Sequence, residues 1–466
     1  MTIHQPTPTL LYRVAAGDGG PGTITQLRAA QVSKHLLLVR HLLDRWAATP
    51  SGPRSGAVAG AWSDGRRGDR EPLRGGAATG AWSDGRRGEP EPVRGVPDLL
   101  ERARAAAPGA FREVIGAPLV GGWAAIAGRA AAQGAATEAD FAHLAAIAIV
   151  AAAAAGVDGS AEIPVHGGLA VLPGLGAIEA GDAATVEVTT AGGRIVALIG
   201  GAAFEVPAGQ GERRPGWLPV RRLAGESGGL AIRLDLDDLH PYRHGHHVPP
   251  ANRLPEDEVD RWREVFADAW ALLATHLPGR AAELAAGLRT LVPLVQTDPR
   301  SARSATIRHA FGVFGLTRPP AAHDFAVTLV HEFQHSKLSA VLDLMPLTDP
   351  ADTGRYFAPW RTDPRPLAGL LQGVYAFVGV ADTWRALRGP VAVAEARFAE
   401  ARLQVDRGLA AIERSGALTP AGETLAAALR RTTDDLLAEP VPPPVARAAE
   451  EALARTRRAW DERNAG

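Results

Sequence analysis

Apolar side chains recur at helical spacing in residues 24–47 (ITQLRAAQVSKHLLLVRHLLDRWA), which predicts an amphipathic helix near the N-terminus. Helical patterning resumes at PDLLERARAAA (97–107) and continues to about residue 155. Within it, HLAAIAIVAAAAAG (143–156) is apolar at almost every position. That run is too short to span a bilayer, so it reads as a buried helix. After Gly156 the period changes. AEIPVHGGLAVLPGLG, ATVEVTTAGGRIVALIGG and LAIRLDLDDL are short, β-branched stretches punctuated by glycine and predict strands. Helical spacing returns at EDEVDRWREVFADAWALLATHL (256–277), and beyond Pro390 it runs to the end with one break at EPVPPPVA (439–446). The expected fold is α+β, mostly α. It comprises a helical region over 1–156, a small β-rich segment with a linker over 157–248, and a helical C-terminal domain over 249–466.

One segment fits neither pattern. GAWSDGRRGDREPLRG (60–75) returns as GAWSDGRRGEPEPVRG (80–95), a tandem copy rich in Gly, Arg and Pro with little to bury. Residues 50–96 are therefore expected to be a flexible insertion. Composition narrows function mostly by exclusion. A net charge of −1 gives no bulk electrostatic case for nucleic acid or an anionic membrane. With no cysteine the chain has no disulfides, thiolate metal sites or cysteine nucleophile. The first residues, MTIHQPTPTL, lack the charged and apolar regions of a signal peptide, and a cytoplasmic location is the expectation.

The chemistry concentrates in DFAVTLVHEFQHSKLSAVLDLMPL, which contains HEFQH at 331–335. Residues 321–345 predict one helix, with His323 or Asp324 as possible caps and Pro346 as the stop. On that helix His331 and His335 lie one turn apart on one face, so both imidazoles can reach one metal ion, with Glu332 beside it. The alternative is a pair of core histidines satisfied by hydrogen bonds. Burying two histidines and a glutamate without partners is costly, which favours the metal.

Zinc peptidases of the usual kinds need a third ligand that is missing here. No histidine follows His335, and no glutamate lies between Glu332 and Glu395. The next predicted helix, PLAGLLQGVYAFVGVADTWRAL (366–387), offers Gln372, Tyr375 and Asp382 along one face. Gln372 or Asp382 can supply the missing oxygen. Asp343 is too far along the motif helix from His335. A second histidine-rich tract, HPYRHGHHV (240–248), reads as a hydrophilic linker with adventitious metal affinity.

TLVHEFQHSKLSAVLDLMPL, together with YFAPWRTDPRPLAGLLQGVYAF (356–377) and SARSATIRHAFGVFGL (301–316), resembles the HExxH-motif peptide-modification proteins of actinobacterial ribosomal-peptide clusters. LRAAQVSKHLLLVRHLLD and IPVHGGLAVLPGLG are similar to the same proteins, so the resemblance spans most of the chain outside 50–96. It implies an iron(II)- and 2-oxoglutarate-dependent oxygenase that hydroxylates a side-chain β-carbon of a ribosomally synthesised precursor peptide. It also implies a histidine at the position where this chain has Gln372, making Gln372 the third ligand beside His331 and His335. The far carboxylate of 2-oxoglutarate needs a cation, and Arg308, Arg361 and Arg365 are placed to provide it. Two alternatives remain. One is a zinc metallopeptidase with Glu332 as general base; the other is a catalytically inactive peptide-binding partner.

Overall fold

A computed structural model describes residues 8–16, 19–48, 95–209, 211–244, 248–298, 300 and 302–464. Residues 49–94, which hold all but the last residue of the tandem repeat, lie outside the described residues.

The N-terminal region folds as α1 (Pro8–Ala16), α2 (Gly20–Ala47), α3 (Val96–Ala106), α4 (Pro108–Ile115), α5 (Pro118–Ala132) and α6 (Glu138–Ala154). Proline opens α3, α4 and α5 in their first turns, where its missing N–H costs nothing. Thr137 and Asp140 form a reciprocal capping box on α6. Helix α6 is the expected buried helix, with Leu144 through Ile149 almost fully covered.

Seven strands follow: β1 (Gly159–His166), β2 (Leu169–Leu172), β3 (Gly176–Glu179), β4 (Thr185–Ala191), β5 (Arg194–Ile199), β6 (Ala202–Glu205) and β7 (Trp217–Pro219). They form an antiparallel sheet in the order β6-β5-β4-β1-β2-β3-β7. Its inward residues, Ile163, Ile178, Val188 and Ala197 among them, share one core with α2 to α6.

The next two strands, β8 (Arg221–Ser227) and β9 (Leu230–Leu236), leave that sheet. They form a hairpin through Gly228 and Gly229, whose φ values of 57° and 76° match the turn that tight hairpins favour. After α7 (Glu256–His276) and α8 (Pro278–Gly287) come β10 (Thr290–Pro293), β11 (Ser304–Thr306) and β12 (Val313–Leu316). The five strands make a second sheet in the order β11-β12-β10-β9-β8. β10 pairs in parallel with both β9 and β12, while β11 is an antiparallel edge strand. Hence the sheet crosses residue 249, where the sequence suggested a boundary. The C-terminal half is also not purely helical. Strands β10 and β12 are buried along their whole length and only four residues long, so they carry no alternation to read.

The chain ends in α9 (Ala322–Leu342), α10 (Leu367–Ala386), α11 (Ala394–Arg414), α12 (Pro420–Ala438) and α13 (Pro443–Arg463). The fold is α+β and mostly α, as expected. Helix α9 is capped at Ala321 by extended backbone, so His323 and Asp324 fall inside its first turn and neither caps it. There Asp324 complements the helix dipole. α9 is buried between α7, α10 and the second sheet, and its apolar side chains Phe325, Leu329, Val330, Phe333 and Leu338 enter the larger core.

No single described helix is long and apolar enough to cross a membrane. Only α4 and α5 taken together pass such a test, and they are bent by 63° at their junction.

Candidate metal centre

Helix α9 sets His331 and His335 side by side, with ring centroids 4.8 Å apart, on the wall of a cavity of about 590 Å³. Thr306, Arg308, Trp360, Arg361, Arg365 and Gln372 also line it. The far wall is a loop closed where Tyr356 and Arg365 exchange backbone hydrogen bonds of 2.8 and 2.9 Å. Trp360 from this loop stacks on Phe377 of α10 at 4.4 Å, and Phe377 meets the His331 ring edge-on at 5.6 Å. Gly373 permits the stack, since a Cβ there would lie 2.1 Å from the Trp360 ring. Trp360, Phe377 and Gly373 were not singled out from sequence. Their signal was the YFAPWRTDPRPLAGLLQGVYAF segment (356–377) itself.

Each imidazole turns Nδ1 toward an acceptor, but only His335 makes a hydrogen bond there. His331 Nδ1 lies 3.5 Å from Glu332 Oε1, and His335 Nδ1 lies 3.2 Å from Gln372 Oε1. With Nδ1 engaged in this way, Nε2 remains as the donor that can take a metal, a common arrangement for histidine ligands. Burial lowers the His331 pKa to about 4, with His335 adding to the effect and Glu332 opposing it. The ring is therefore neutral at physiological pH, the form a metal binds.

Glu332 is only 3 % exposed and does not face the cavity. Ser304 donates to its Oε1 at 2.7 Å and Thr306 to its Oε2 at 2.5 Å. Burial pushes this carboxyl up, but His331, His335 and the two hydroxyls outweigh it and hold the pKa below the usual range. Glu332 is thus an ionised partner of His331, braced by strand β11. Ser304 and Thr306 were missed as site residues, although their alternation puts both on one face of a strand.

Gln372 is beside the histidines as expected, because α10 packs along α9. Its amide accepts from His335 and donates to Ser339 Oγ at 3.3 Å. The 3.2 Å spacing is that of an orienting hydrogen bond to Nδ1; it would suit shared ligation, where two ligands with bonds near 2.1 Å stand ~3.0–3.4 Å apart, only were His335 to bind metal through Nδ1 in place of Nε2. Asp382 is not at the site. It lies ten residues further along α10, ~15 Å of helix axis. Its carboxylate is paired with Arg280 at 3.2 Å and Arg385 at 2.7 Å. Asp343 is held by Lys34 at 2.7 Å.

All three arginines line the cavity, but they are not equivalent. Arg361 is tied to Asp363 at 2.5 Å. Arg365 and Arg308 stand 3.8 Å from Asp363 and Asp343, respectively, leaving their guanidinium groups more available. Among the described residues no three His, Asp or Glu side chains form a ready set of metal ligands. The donors that fit are the two imidazoles and the Gln372 oxygen.

The histidine tract differs from its sequence reading. His240 is 1 % exposed, because Asp237 accepts the backbone N–H groups of Leu239 and His240 and turns the chain into the core. There His240 packs 5.1 Å from His143, and Tyr242 donates to Asp140 at 2.9 Å. His244 is exposed, and His246 and His247 lie outside the described residues.

The chain matches no model of a known family and no curated protein.

Proposed function

We propose that the protein is an iron(II)- and 2-oxoglutarate-dependent oxygenase that hydroxylates a side-chain β-carbon of a ribosomally made peptide. The observation that carries this reading is the division of labour in the motif. The two imidazoles face a cavity rimmed by arginines, while Glu332 is turned into strand β11. A hydrolase needs that carboxylate at the metal-bound water, whereas an oxygenase needs no such base. When bound, iron(II) with 2-oxoglutarate and oxygen converts C–H to C–OH as 2-oxoglutarate becomes succinate and carbon dioxide.

The protein's own residues have separable tasks. His331 and His335 hold the metal, and Glu332 and Gln372 fix their rings. Arg308 and Arg365 bind the far carboxylate of the co-substrate, which fits a cavity of this volume. Trp360 and Phe377 form an apolar wall that excludes water. The substrate class rests on the resemblance of the motif helix and the PWRTDPRP loop to peptide β-hydroxylases.

Aerobic incubation with iron(II) and 2-oxoglutarate tests the proposal. Iron-dependent succinate formation that stops when iron is replaced by zinc is expected. Peptide cleavage by the zinc form would instead establish the hydrolase. The neutral Gln372 in place of a stronger ligand favours, as a second reading, a peptide-binding partner without turnover. Peptide binding with no succinate formation would establish that one.

A further inference from the structure

The loop that closes the metal cavity is gripped from outside by the last helix. The backbone pairing of Tyr356 with Arg365 fixes only the neck of this loop, and Trp360 fastens its inner side to Phe377. Its outer side meets the last two turns of α13. Phe357 packs edge-on against Trp460, with ring centroids 5.6 Å apart. The Arg457 guanidinium lies 5.1 Å from the Phe357 ring and 5.2 Å from the Trp460 ring. Arg463 donates to Thr362 Oγ1 at 2.9 Å. Asn464 donates to the Thr362 carbonyl at 3.2 Å and to the Trp460 carbonyl at 2.7 Å. Thr362 stands between Arg361 and Arg365 in the chain, so α13 grips the segment that carries both cavity arginines.

Helix α13 is itself lightly attached. Of its 21 residues, all described, Ala449 alone is buried, whereas α10, which lines the cavity, buries thirteen of its 20. A cavity of about 280 Å³ lies between α11 and α13 against Phe357. The chain just ahead of the helix is pinned, because Arg388 donates to the Pro440 carbonyl at 2.9 Å and to Glu439 at 2.6 Å. An element that buries so little can open locally while the rest of the fold stays intact.

We propose that α13 is a strap that holds the 356–365 loop closed over the metal centre and so positions Arg365 for the co-substrate carboxylate. The positioning of Arg365 rests on the oxygenase reading above; the hold on the loop does not. Trp460 and Asn464 act through the loop and do not line the cavity.

The test digests the full-length, metal-free protein briefly with trypsin and times cleavage of the Arg361–Thr362 bond by mass spectrometry. Cleavage within a folded protein tracks the population of the locally open form. Trp460→Ala removes the aromatic pair and one of the two rings beside Arg457, and should speed this cut about tenfold. Asn464→Ala should speed it about threefold. Trp460→Phe is the rescue. The Trp460 indole N–H is buried without a partner, so phenylalanine keeps the ring contact and loses no hydrogen bond. Its cleavage should stay within about twofold of native.

Anaerobic equilibrium dialysis of 2-oxoglutarate against the iron(II)-loaded protein then reads the consequence for the site. Binding should weaken about fivefold in Trp460→Ala and recover in Trp460→Phe, with iron affinity unchanged. If Trp460→Ala does not fold, Asn464→Ala carries both measurements. An Arg361–Thr362 cut as slow in the alanine variants as in the native protein would overturn the strap. A faster cut with 2-oxoglutarate binding unchanged would overturn the positioning of Arg365. Native protein that binds no 2-oxoglutarate would sink the oxygenase reading, and the cleavage rates alone would then decide the strap.

Discussion

Gln372 is the position on which the metal centre turns, and replacing it gives a graded prediction. Its Oε1 receives the His335 Nδ1 proton at 3.2 Å while its Nε2 is anchored on Ser339. In Gln372→Leu the side chain keeps its bulk but loses the acceptor. Losing one hydrogen bond to a partly buried ring costs ~1–2 kcal/mol, a factor of about 5–30 in affinity. Freeing a ligand ring from its outer partner typically lowers metal affinity about 10–100-fold. Gln372→Leu should therefore bind metal ~10–100-fold more weakly. Gln372→Glu supplies a carboxylate in the same place, and Gln372→His a third imidazole. Both are expected to bind more tightly than the native protein, the first because two histidines and one carboxylate suit iron(II). Anaerobic iron(II) titration, with cobalt(II) absorption as an air-stable check, reads the order Glu and His above Gln above Leu. Affinity for the Leu variant within about twofold of native would refute the reasoning, because it would mean that neither ligation nor ring orientation by Gln372 contributes.

Other outcomes follow from the same geometry. His331→Ala and His335→Ala should each abolish stoichiometric iron binding with the far-ultraviolet circular dichroism unchanged; retained binding by either would place the metal elsewhere. Gly373→Ala should destabilise by ~1–3 kcal/mol, although Gly→Ala within a helix ordinarily stabilises, because the added methyl collides with Trp360. Thermal unfolding gives the sign, and an unchanged or raised midpoint would contradict the packing described. The buried histidines predict acid sensitivity. Burial and the neighbouring His166 lower His143 to about 3, and burial lowers His166 and His240 as well. Their unfolded forms take up protons near pH 6.5 while the folded forms do not, so stability is full above that pH and falls below it. His143 alone should remove ~2 kcal/mol between about pH 6.5 and 5. Urea unfolding midpoints that stay flat over that range would refute the assignment.

The sequence made α9 legible because its apolar residues surround the helix and its two histidines share a face. Gln372 was legible for a similar reason: the helix after Pro366 offers few polar side chains. Asp382 looked equivalent on periodicity alone. Periodicity gives the face of a helix but not the depth, and only the contact with His335 selects between the two. Strand β11 was invisible at three residues. The role of Glu332 was hidden with it, since whether that carboxylate faces a metal or a hydroxyl depends on a strand that arrives from elsewhere in the chain. His240 was misjudged because its neighbours in sequence are hydrophilic, whereas Asp237 bends the backbone inward ahead of it.

The parallel pairing of β9 with β10 bears on how the protein acquires its centre. Those strands are separated by two helices, so their contact closes a long loop and cannot form early by local zippering. The brace on the α9 glutamate needs only the local β11–β12 hairpin, but seating that hairpin in the sheet needs β12 to dock on β10. A fragment beginning at residue 249 would also present β10 with one flank bare, a template for aggregation. The motif helix and its brace are thus local in sequence, whereas the sheet that seats them is closed by contacts across two intervening helices.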